Sequence, residues 1–111
     1  MTDQAKKYLS DILHALELIE KFTEDIKDFN DYLSDLKTQS AVERQLGIIG
    51  EAVNNYDKRF PNSSLKFAKS IVGFRNRLIH AYDAIDATIV WAIINKHLAP
   101  LKTEVISKLE L

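Results

Sequence analysis

A chain of 111 residues has room for one domain, and 46% hydrophobic with 28% charged residues is the mixture of a folded globular protein, not a disordered one. Three glycines and two prolines are too few for a turn-rich sandwich or barrel, and zero cysteines exclude a disulfide scaffold, a thiolate zinc site and cysteine catalysis. The net charge of −1 hides a segregation: Asp3, Asp11, Glu17, Glu20, Glu24, Asp25, Asp28, Asp31 and Asp35 crowd the start, whereas Lys58 to Tyr82 has no acid and carries Lys58, Arg59, Lys66, Lys69, Arg75 and Arg77.

In the first helix Tyr8, Ile12, Ala15 or Leu16, Ile19 and Phe22 recur at three- and four-residue steps, with Thr2 as N-cap. Its interspersed acids and lysines are unlike a signal peptide. Thr23 to Asp28 has no apolar period and reads as a connector, and Asp28 then caps a short helix over Phe29 to Leu33. The cleanest stripe belongs to the middle helix: Val42, Leu46, Ile49, Val53, Tyr56 and Phe60. Pro61-Asn62-Ser63-Ser64 ends it, and Ser63 or Ser64 caps a helix beginning near Leu65, with Phe67, Ile71, Phe74 and Leu78 inward.

Asp83 and Asp86 mark a break and a new N-cap before a helix with Ile85, Ile89, Ile93 and Trp91. Pro100 starts a last short helix with Leu101, Val105 and Leu109 inward. The longest uncharged apolar stretch, Ala87 to Ile94, is less than half a membrane span. The pattern predicts one all-α domain over residues 1–111, an antiparallel four-helix bundle with one or two extra short helices, without membrane contact and located in the cytoplasm.

The chemistry-bearing stretch is Gly73 to Tyr82, which gathers Arg75, Asn76, Arg77, His80 and Tyr82 on one helix and its end. Arginine offers a planar fork of donors to phosphate oxygens, and histidine moves protons near neutral pH. Together they suit RNA cleavage without metal, in which the 2′-hydroxyl attacks the adjacent phosphorus and leaves a cyclic phosphate. Arg75 and His80 lie five residues apart, roughly 140° around a straight helix, so one small site needs a bend or a second surface. A two-fold dimer answers this, supplying two copies of His80 as acid and base. His14 and His97 read as surface residues. Each motif residue also has an ordinary structural use: Arg75 and Arg77 could pair with Glu51 or the N-terminal acids, and Gly73 could serve tight helix packing.

The octet Arg75-Asn76-Arg77-Leu78-Ile79-His80-Ala81-Tyr82 resembles the R-x4-H-x-Y motif of the HepT-like toxins, a branch of the HEPN ribonuclease superfamily. Ala41 to Ala52 resembles that family's middle helix, Ile71 to Asn76 its run into the motif, and Val90-Trp91 with Pro100-Leu101 its last helices. Ala81 stands where the family often has glycine, and Asn62 to Phe67 lacks a tryptophan often found before the motif helix. The resemblance implies a HEPN-like homodimer that cleaves RNA at its two-fold cleft, with Arg75 and His80 catalytic and Asn76 a polar neighbour. Lys66, Lys69 and Arg77 become candidate RNA-phosphate contacts.

The resemblance further implies a toxin–antitoxin pair in which a nucleotidyltransferase silences the toxin, in a complex of the two, by transferring AMP from ATP to Tyr82. It implies no metal and no cofactor beyond that ATP as AMP donor. Two other readings compete. One is a helical accessory subunit that holds substrate for a nucleotidyltransferase, and the other is a plain dimerisation bundle. The intact arginine–histidine–tyrosine set favours the nuclease, since binding alone does not require it.

Overall fold

The computed structural model describes residues 1–80 and 86–110, and of residues 77–80 only the helical backbone. Among the described residues there are six α-helices, one 3-10 turn and no strand. The helices are α1 (Asp3–Phe22), α2 (Phe29–Leu33), α3 (Leu36–Arg59), α4 (Lys69–His80), α5 (Ala87–Lys96) and α6 (Leu98–Glu110). Side chains close the starts of four of them. Thr2 Oγ1 accepts the Ala5 amide at 3.0 Å, Asp28 that of Asp31 at 2.8 Å, Asp35 that of Thr38 at 3.0 Å and Asp86 that of Thr88 at 2.8 Å. No described helix is long and apolar enough to cross a membrane.

The core follows the expected stripes except at Tyr8 and Phe22 of α1 and at Phe60, which is half-buried at the end of α3. On α1 the buried set is Ala5, Leu9, Ile12, Ala15, Leu16 and Ile19, while Tyr8 is half-buried and Phe22 exposed. On α3 Val42, Leu46, Ile49, Val53 and Tyr56 are buried, as the spacing requires. α1 packs chiefly on α3 and also on α6, and α3 packs on α4. A fully buried leucine or isoleucine contributes about 1.5–3 kcal/mol, whereas an exposed ion pair contributes about 0–1. The apolar stripes therefore hold the bundle, and the exposed pairs Lys7–Asp11 and Lys102–Glu20 do not. The buried ring of Tyr32 on α2 lies 5.6 Å from that of Trp91 on α5, docking the short helix on the bundle.

Two helix starts differ from expectation. α4 begins at Lys69, because the amides of Leu65, Lys66 and Phe67 are bonded elsewhere: Leu65 N donates to Asp57 at 2.9 Å, and the other two to Glu104 at 2.8 and 3.0 Å. Ser63 caps nothing there; its hydroxyl pairs with Tyr56 and Lys108. Phe67, expected inward, is 54% exposed, since the helical period cannot be run back into a segment that is not helix. At the other end α6 starts at Leu98, and Pro100 sits inside its first turn, where its missing amide hydrogen costs nothing. The expected inward positions Ile85 and Leu78 and the break residue Asp83 lie outside the described side chains.

Candidate functional site

The motif helix is set by what grips its approach. Leu65 bonds to Asp57 and Arg75 lies over Gly50, so α4 runs antiparallel to α3. Burial pushes the Asp57 carboxyl above its ordinary range, opposed by the Leu65 hydrogen bond. From α6, Glu104 reaches over to hold both amides that precede Lys69.

Arg75 is half-buried, and its stem lies against bare backbone. A Cβ built on Gly50 would stand 2.5 Å from Arg75 Cβ, 3.0 Å from its Cγ and 3.3 Å from its Cδ. No side chain fits between the helices at that point. Gly50 was legible as part of a familiar segment, but its role was not, since a glycine inside a helical period does not announce what approaches it. Gly73 behaves in the opposite way. It is exposed, and among the described residues nothing lies within 4 Å of where its Cβ would be, so tight packing within this chain is not its use.

Asn76 is exposed beside Arg75. α4 continues as α-helix to His80 without a break, so the roughly 140° between the Arg75 and His80 positions stands. A bend ahead of His80 does not bring them together. Arg77 and His80 are placed by backbone only, and Tyr82 lies outside the described residues.

Lys66 and Lys69 come together with residues that sequence reasoning had not joined to them. A pocket of about 330 Å³ is lined by Lys66, Phe67, Lys69, Ser70, Lys96, His97 and Pro100, between the start of α4 and the α5–α6 junction. His97 closes α5 as its C-cap, and its Nε2 lies 3.5 Å from Ser70 Oγ. His14 is exposed in a different groove, of about 470 Å³, between α1 and α3, where Glu51 also lies. Among the described residues neither ion pair draws on the basic segment, and Arg59 meets the neutral Gln4. Among the described side chains, Lys58, Arg59, Lys66, Lys69 and Arg75 form no ion pair with the acids of the N-terminal segment.

Comparison with known proteins bears on what the site does. A family model described as "Ribonuclease HepT-like" matches residues 12–107. The protein named "Probable ribonuclease HepT" in Thermococcus cleftensis is 42% identical over 98 residues, covering 87% of this chain and 88% of its own. "Putative RNase MJ1380" of Methanocaldococcus jannaschii is 38% identical over 104 residues, covering 90% of this chain and 92% of its own. No solved structure matches the chain.

Proposed function

The chain belongs to the HepT-like ribonuclease family, and we propose that it is a metal-independent endoribonuclease, the toxin of a toxin–antitoxin pair, acting at the two-fold cleft of a homodimer. The observation that carries the reading is the unbroken α4 helix. On it the Arg75 and His80 positions are roughly 140° apart, so we read one chain as offering half of an acid–base site. A second protomer supplies the other half.

The reaction runs in one displacement. One His80 takes the proton of the 2′-hydroxyl, the 2′-oxygen attacks phosphorus, and the bond from phosphorus to the 5′-oxygen breaks. The partner's His80 gives its proton to that leaving oxygen, so the products are a 2′,3′-cyclic phosphate and a free 5′-hydroxyl. Arg75 stabilises the charge that builds on the phosphoryl oxygens, and the stem contact with Gly50 limits how far its guanidinium can wander. Asn76, exposed one position on, orients the phosphate. A cognate nucleotidyltransferase silences the site by placing AMP on Tyr82, which adds bulk and negative charge where substrate phosphate must enter.

The test is cleavage of RNA in EDTA by wild type, Arg75→Ala and His80→Ala. Cleavage by wild type with cyclic-phosphate ends is expected, with losses of roughly 10²–10⁴-fold in His80→Ala and roughly 10²–10³-fold in Arg75→Ala, both still folded dimers. Wild-type levels of cleavage in both variants would remove the site assignment. An inactive wild type whose mass shows no added AMP would favour the accessory-subunit reading.

A further inference from the structure

The pocket at the start of α4 has features that a structural surface does not need. Three lysines, Lys66, Lys69 and Lys96, line one concavity from the pre-helix segment, α4 and α5. Ser70 and the half-buried His97 lie against each other within it, and Pro100 and the 54% exposed ring of Phe67 supply apolar surface. The Glu104 carboxylate accepts from the amides of Lys66 and Phe67. The first turn of α4 carries no acid of its own, and the carboxylate at its approach is that of Glu104. Its volume of about 330 Å³ is at the small end of ligand pockets. Cations beside a bare aromatic ring match a phosphate joined to a planar base.

One register of α4 leads from the pocket toward the motif. Lys69, Gly73, Asn76 and His80 occupy one register of α4, spaced four, three and four residues apart, within about 60° of each other around the axis. Midway along that register Gly73 is exposed, with no described atom within 4 Å of a would-be Cβ, so a strand can lie directly on the helix backbone there. From Lys69 to His80 the rise is roughly 16 Å, too far for one phosphate to touch both ends.

We propose that this pocket is a nucleotide-binding subsite for the RNA strand beyond the scissile phosphate, Lys66, Lys69 and Lys96 holding a backbone phosphate and Phe67 stacking on its base. The strand then runs along α4, over Gly73, to the motif. The proposal rests on the ribonuclease reading above, but its test does not depend on cleavage.

The probe is a single-stranded 2′-O-methyl oligoribonucleotide of about eight nucleotides, which lacks the nucleophilic hydroxyl and cannot be cut by the proposed route. Its binding is followed by fluorescence anisotropy across salt concentrations. Phe67→Ala should weaken binding roughly tenfold with an unchanged salt slope, and Phe67→Tyr should restore it. Lys69→Ala with Lys96→Ala should lower the slope of log affinity against log salt by about 1.4, the signature of two lost phosphate contacts on a single strand. All altered side chains lie on the surface or in the pocket, and circular dichroism checks the fold. Wild-type affinity and slope in every variant would overturn the proposal, as would variants that keep RNA and lose binding to the nucleotidyltransferase instead. Loss of RNA binding as described would uphold the subsite even if wild type proved unable to cleave, a result that would fall on the ribonuclease reading alone.

Discussion

At the scale of single residues, the contact between Gly50 and Arg75 decides the most. The atom closest to a Cβ at position 50 is the Cβ of Arg75, which belongs to the helix itself and cannot swing aside. Gly50→Ala should therefore push α4 from α3, cost about 1–3 kcal/mol in urea denaturation and reduce cleavage. In a double-mutant cycle Arg75→Gly should relieve the strain, while Arg75→Ala, which keeps the offending Cβ, should not.

Asp57 makes a prediction about pH. Burial raises its carboxyl, so as pH rises past the ordinary carboxylate range the unfolded chain gives up its proton before the folded one does. Below that range both states are protonated and Asp57 costs nothing. Above its folded value the loss of stability is complete. Asp57→Asn, which can still accept from Leu65, should raise the melting temperature at pH 7 and lose that advantage in acid. The identities of Arg75 and His80 were readable from spacing and chemistry, whereas the pressure of Gly50 on Arg75 was not, because it joins positions 25 apart in the chain.

At the scale of elements, the starts that could be read were those closed by a neighbour in sequence. Thr2, Asp28 and Asp86 each bond an amide two or three residues on, a pattern the residue types advertise. The start of α4 could not be read in that way. Its position depends on carboxylates from α3 and α6, and Glu104 lies 38 residues from the amide of Lys66. Removing that grip with Glu104→Ala should cost about 1–2 kcal/mol in chemical denaturation, the range for hydrogen bonds to a charged group at a partly wet site. The same change should loosen Lys66 and Phe67. α6 was likewise read too short, since Pro100 looks like a first residue but is equally at home within the first turn.

At the scale of the whole molecule, the segregation of charge survives folding. The described ion pairs stay outside the basic segment, so in a near-neutral protein of 42 × 29 × 18 Å its described lysines and arginines form no ion pair. The composition showed the segregation, but only the packing shows where two of the N-terminal acids pair, Glu20 with Lys102 and Asp11 with Lys7. The proposed cleft between two protomers makes a kinetic prediction. When unfolded wild type and His80→Ala are mixed and refolded, cleavage should fall as the square of the wild-type fraction if both histidines serve one reaction. A linear fall would mean that each chain acts alone.

The way the links are fastened has one more consequence. The chain between α3 and α4 is tied at Leu65, Lys66 and Phe67 to Asp57 and Glu104, and at Ser63 to Lys108. Among the described residues the connector between α1 and α2 hydrogen-bonds only to its own neighbours, through Thr23, Glu24, Ile26 and Lys27; Ile26 packs on the core, and Glu24, Asp25 and Lys27 are exposed. One link is fastened to distant helices and the other to its own neighbours and, through Ile26, to the core. An inserted epitope, a protease site or a new pair of termini would be absorbed near Asp25, whereas the same cut near Ser63 would unfasten three helices at once.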